Sequence, residues 1–437
     1  MNKFWKIAFA FSGIYIFKGI LIKTNLPMSK KHVLICLFNF FIAAVLGLAL
    51  RYFFVQPMGL DFRFLTHAHS HVAMLGWVYL MLFTLMVHYF VPEKKPVYNK
   101  LFWVTQFAVF GMLFSFPFQG YAVVSITFST LHIFCSYYFA YLIFKYHKTE
   151  SVVTSYLLKA SLVFMLLSTV GVWCLGPAVA TVGQSSAFYQ IAIQFFLHFQ
   201  FNGWFLIAVV AVLFHKLKLK DSEQFQPFYK LLIVSTVFTF AWPVHWFAPH
   251  NSLLWINGFG VLLQVGALFY FYKLVKPAFG VLIKNQSSIV KLMYGFALLC
   301  FVLKIVLQSA SLFPEVSTMV FQNRNFIIGF IHLTMLGVIS GFLFAFLLQT
   351  DLIKQTKLLT FGMTSFVLGF ILTEVILAIQ GVLFYFGQGL MPNYYLILFL
   401  SSILLPLGIG CFILIILKTK NHVAKTIEAP QSFTTFK

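Results

Sequence analysis

Runs of about 20 mainly apolar residues recur along this chain, and a run of that length crosses a bilayer as a helix. They lie near 32–54, 67–91, 101–119, 121–145, 155–180, 187–215, 228–248, 252–275, 290–312, 325–349, 357–386 and 393–418. In lipid every backbone N–H and C=O must find its partner inside the protein, and a helix does this within one segment. The chain is 61% hydrophobic and 9% charged, where a soluble domain carries about 25% charged residues. The expectation is an all-α polytopic membrane bundle of about twelve helices, contacting membrane lipid. Residues 32–418 form one bundle, 1–31 an N-terminal extension and 419–437 a polar cytoplasmic tail. The extension is apolar over 4–22 but carries Lys6 and Lys18, so it reads as an extra or interfacial helix, or a poor signal peptide. Met28 offers an alternative start.

The net charge of +21 would suggest nucleic acid in a soluble protein. Here the lysines sit in every other short loop: Lys30 and Lys31, Lys94 and Lys95, Lys145 and Lys148, Lys216 to Lys220, Lys273 to Lys284, Lys354 and Lys357, Lys418 and Lys420. The loops 117–121, 181–187, 249–252 and 387–392 carry none. That alternation follows the positive-inside rule and places both ends of the bundle in the cytoplasm of a bacterial inner membrane, with no nucleic-acid role. Five scattered cysteines show no CxxC or zinc spacing.

Polar side chains are costly in hydrocarbon and mark functional sites. Eight histidines fall in one layer at the lysine-poor end: His67, His69 and His71 on the second segment, His132 on the fourth, His198 on the sixth, His245 and His250 at the end of the seventh, and His332 on the tenth. Imidazole binds haem iron and copper, so the layer is a candidate metal layer. His67 and His71 share a helical face and His69 points elsewhere. Lys304 and Glu374 are buried ionisable residues, read as a charge-neutralising pair or a proton relay. Arg51, Arg63 and Arg324 lie near the same end, where they could contact haem propionates or anchor the interface. No convincing repeat is evident, although His-bearing segments recur.

His69-Ser70-His71, then Leu75-Gly76-Trp77, then His88-Tyr89-Phe90-Val91-Pro92, together with FLHFQFNGW around His198, resemble subunit I of the haem-copper oxidase superfamily. The likeness is to its branch near the cbb3-type oxidases and nitric oxide reductases, and it covers residues 32–418 in layout. The resemblance implies His69 or His71 and His332 as haem ligands, His198 and His245 (with His250 nearby) at a copper site, and oxygen or nitric oxide reduction. Electrons would come from a quinol or a cytochrome, and partner subunits are implied. His67 and His132 are secondary candidates. The chain departs from the family where no histidine adjoins His245, where His332 is alone on its segment, and where Asn202 replaces a tyrosine. A single haem or an altered metal site fits that ligand count. A non-catalytic membrane haem protein responding to nitric oxide, or a proton or metal transporter, are the rival readings.

Overall fold

The computed structural model describes residues 28–419. Among these it contains no strand and twelve helices long and apolar enough to cross a membrane. We number them α1 (Lys30–Tyr52), α2 (Phe62–Phe90), α3 (Pro96–Gln119), α4 (Val123–Tyr146), α5 (Val152–Thr181), α6 (Ala187–Lys216), α7 (Phe225–Phe247), α8 (Asn251–Lys284), α9 (Ser288–Leu312), α10 (Arg324–Leu348), α11 (Lys357–Tyr385) and α12 (Tyr394–Lys418). The protein is thus an all-α, multi-pass membrane bundle. The expected N-terminal extension and polar tail lie almost wholly outside the described residues.

Most boundaries fall within a few residues of those expected from hydropathy. Two do not. α2 begins at Phe62 because Asp61 caps it, its carboxylate accepting from Phe64 N at 2.8 Å; an acceptor there satisfies a free N–H of the first turn. All three histidines of THAHSH are therefore helical. α8 continues to Lys284 through Pro277, beyond the hydropathy limit at 275.

Three helices form the interior. In α2, α6 and α10 the apolar windows are 78%, 78% and 83% buried, against 56% at most elsewhere. Each carries a π-helical stretch, Val72–Tyr79, Phe199–Phe205 and Leu333–Ser340. Each stretch starts on the residue after a histidine: His71, His198 and His332. A glycine follows each histidine by five positions, at Gly76, Gly203 and Gly337. These glycines let a neighbour approach closely: an added Cβ would meet Asn39 of α1, Phe164 of α5 and Cys300 of α9 at 3.0, 2.6 and 2.8 Å. The chain is therefore three four-helix units, α1–α4, α5–α8 and α9–α12. In each the first helix packs on the π stretch of the second, and the third pairs with the fourth; α12 packs on α1 and closes the ring. This is a repeat that hydropathy alone did not expose.

A π stretch leaves backbone carbonyls poorly aligned, and such stretches concentrate at functional sites. Here side chains restore the bonding. Asn39 Nδ2 donates to Gly76 O at 2.9 Å and to Gln106 Oε1 at 2.7 Å. Asn202 Nδ2 donates to His198 O at 3.3 Å, and Ser340 Oγ donates to Met335 O at 2.8 Å. Trp77 Nε1 donates to Ser340 Oγ at 2.8 Å and ties the first stretch to the third. Interhelical bonds of this kind contribute about 0.6–2 kcal/mol each in membranes. Many phenylalanines face outward, among them Phe107, Phe114 and Phe118, where lipid covers them.

Candidate functional site

α2 presents two polar faces. His69 turns to α1, where its Nδ1 donates to Ala43 O at 2.8 Å. Gly47, one turn further along α1, leaves room for the ring: a Cβ there would sit 3.0 Å from His69 Cε1. Because the carbonyl takes the Nδ1 proton, Nε2 carries a free lone pair, and no described group bonds to it. His332 of α10 and Arg51 of α1 lie within electrostatic range of His69.

His332 turns its Nδ1 toward a carboxylate. Its Nδ1 lies 3.4 Å from Glu374 Oε1 of α11, and the two side chains are 22% and 18% exposed. Both atoms are buried, and neither makes a hydrogen bond with a described residue. Gly329, one turn before His332, gives Glu374 its space; a Cβ there would stand 3.1 Å from Oε2. Arg51 lies in range of Glu374 and Tyr394 and makes no ion pair with a described residue. Tyr394 OH accepts from Asn325 Nδ2 at 2.9 Å. Two imidazoles with unengaged Nε2 atoms, one carboxylate and one unpaired guanidinium thus share the corner between α1, α2, α10 and α11.

The other face of α2 points to α3 and α4. His71 Nδ1 donates to His67 O at 2.8 Å, and its Nε2 accepts from Tyr121 OH at 3.2 Å. Its ring stands 4.4 Å from that of Phe116. His67 lies edge-on to Tyr121 at 4.7 Å. His132 is buried against Tyr79, ring centroids 4.6 Å apart, with no partner for its Nε2. Both nitrogens of His71 are thus engaged, whereas His69 keeps Nε2 without a partner among the described residues. The expected split between His67/His71 and His69 is present.

The third group does not assemble as a copper trio. His198 Nε2 donates to Thr236 O at 2.8 Å. His245 Nδ1 accepts from His250 N at 3.2 Å. His250 is exposed and caps α8, its Nδ1 accepting from Ser252 N at 3.2 Å. No three of His, Cys, Asp or Glu among the described residues form a group that could hold a metal ion. The direct Lys304–Glu374 pair is also absent. Lys304 is fully buried and donates to Gln308 Oε1 at 3.1 Å, over the Phe330 ring, while Glu374 faces His332. One helical turn separates Lys304 from Gln308, so the partner was local. Arg324 and Arg63 are exposed, and the Arg324 guanidinium lies 6.0 Å over the Phe62 ring; Arg51 is the arginine at the site.

Sequence reasoning missed Ala43, Gly47, Thr236, Tyr121 and the glycine that follows each central histidine. The recurring His-x4-Gly spacing was the available signal for the last of these. No family model matches this chain. No curated protein matches it either.

Proposed function

We propose that the protein is an integral-membrane haem protein, in which His69 of α2 and His332 of α10 would hold the haem iron. The reading rests on one observation: two imidazoles on separate central helices keep Nε2 free while Nδ1 of His69 donates to a carbonyl and Nδ1 of His332 faces a carboxylate at 3.4 Å. Ligating histidines usually donate their second N–H to such a partner, which fixes the tautomer and raises ligand basicity. Arg51 adds a guanidinium with no acid of its own, suited to a haem propionate. A haem held there would carry one electron at a time. The chain's own part would be to orient the two rings and balance propionate charge through Arg51.

The resemblance to haem-copper oxidase subunit I supports the same pair of helices. The reading is narrower than an oxidase, because His198, His245 and His250 are each engaged elsewhere. Electron transfer, or a non-catalytic response to nitric oxide, fits one haem; reduction of oxygen or nitric oxide would need a second centre. A quinol or a cytochrome on a partner subunit would supply electrons. The setting is a bacterial inner membrane, with the lysine-rich loops and both bundle ends cytoplasmic.

A transporter is the second reading, favoured by the His332–Glu374 contact and the buried Lys304. The three units run in the same direction, whereas many transporters use inverted repeats. Purification in mild detergent from haem-supplied cells decides between them. The haem reading expects a Soret band, about one haem per chain by pyridine haemochrome, and its loss in His69→Ala and His332→Ala but not His71→Ala. A colourless wild-type protein that moves protons or metal ions in liposomes would replace it with the transporter.

A further inference from the structure

The threefold repeat extends to the lysine-rich end of the bundle. Seventeen residues after His71, His198 and His332 come His88, His215 and Gln349. The three lie at the ends of α2, α6 and α10, the central helices. What gathers there is almost entirely hydrogen-bond donors. His88 has Lys94, Lys216 and His215 within electrostatic range and no acid among them. Its Nδ1 is buried and has no partner. Lys216 is half-buried, with its ammonium 5.2 Å over the Tyr89 ring and no ion pair. His215 packs on Tyr89 and Phe90, with Glu150 as the nearby acid. Gln349 accepts from Tyr294 OH through Oε1 at 2.8 Å, which leaves its NH2 free to donate.

A lysine at a membrane boundary ordinarily extends into water. Lys216 is instead half-buried over the Tyr89 ring and forms no ion pair with a described carboxylate. A half-buried cation without a counter-charge is costly, and basic pockets between helix ends take anionic headgroups. We propose that Lys216, His88 and Gln349, with Lys94 at the rim, form a site for a phosphate group. The phosphate belongs either to an anionic phospholipid headgroup or to a free phosphate ion. Lys216 supplies the charge, and His88 Nδ1–H and the Gln349 amide supply directed donors. The site stands at the opposite end of the bundle from His69 and His332 and does not depend on haem.

The test has two arms, both on the full-length protein. In the first, native mass spectrometry follows retention of phosphatidylglycerol from nanodiscs that contain it. In the second, inorganic phosphate is titrated onto protein in phosphatidylcholine nanodiscs, with melting temperature as the readout and sulfate-free chloride buffer as the control. A lipid source expects a retained phosphatidylglycerol that is lost in Lys216→Met and His88→Phe and kept in Lys216→Arg and in Lys291→Met, an exposed lysine in the first turn of α9. A free source expects a phosphate-dependent rise in melting temperature with the same pattern of loss. His88→Phe and Lys216→Arg keep the test open if Lys216→Met does not fold. Equal lipid retention by wild type and all variants, with no phosphate shift, overturns the proposal. So does a loss in Lys291→Met as large as that in Lys216→Met, since it would mean general surface charge.

Discussion

Ala43 O sets which nitrogen of His69 carries the proton, and Glu374 stands 3.4 Å from Nδ1 of His332. The carbonyl at His69 cannot be mutated away, but the carboxylate at His332 can. Glu374→Ala is expected to lower haem affinity about 10–100-fold, the usual cost of losing an outer partner of a metal-bound histidine. Glu374→Gln keeps an acceptor for Nδ1–H and is expected to lose less. Haem retained after gel filtration measures both; equal retention in wild type and Glu374→Ala would remove Glu374 from the site. Which residue Glu374 faces was not legible in the sequence. Depth along the helix brought it level with Lys304 as well as His332, but depth says nothing of helix face. Gln308, one turn from Lys304, took the lysine, and α11 turned the carboxylate toward α10.

The π stretches set the packing at the scale of the element. Trp77 and Ser340 join two of them, and both are buried. Ser340→Ala leaves the indole N–H unsatisfied, at a cost of about 1–3 kcal/mol. Trp77→Phe with Ser340→Ala should cost less than the sum of the two single changes, read as melting temperatures in detergent; strict additivity would mean that the bond contributes nothing. The motif glycines make a second test. In Gly203→Ala the new methyl would lie 2.6 Å from Phe164 Cβ and Cγ, overpacking that costs about 1–3 kcal/mol. Gly280→Ala meets nothing within 4 Å in α8, and better helix propensity should stabilise it by up to about 1 kcal/mol. Opposite shifts in melting temperature are expected. Hydropathy located these helices because it averages over a span. It could not locate the π stretches, where a neighbouring helix comes close at each glycine.

Across the whole molecule, three similar units stand around α2, α6 and α10, all three entering from the lysine-poor end. The alternation of lysines across loops then predicts one orientation for the entire bundle. In right-side-out vesicles a membrane-impermeant maleimide should label Gln184→Cys, between α5 and α6, and spare Lys220→Cys, between α6 and α7. Inverted vesicles should reverse the pattern. Labelling of both positions from one side would break the topology. The native cysteines give little background, since Cys36, Cys135, Cys300 and Cys411 are buried and Cys174 is half-buried.

The sequence by itself determined the fold class, the helix count, most boundaries and the layer in which the histidines lie. Those follow from the solvent: apolar length and loop charge act residue by residue, so a linear pattern carries them. The two faces of α2 were legible too, because helical periodicity separates His69 from His67 and His71. Only the tertiary structure decided which histidines keep a free nitrogen and which become links between helices. His71, His198 and His332 occupy equivalent places in the three units, yet they meet a tyrosine, a backbone carbonyl and a carboxylate in turn. That choice depends on what the neighbouring helix presents at contact distance, and no spacing along one chain segment records it.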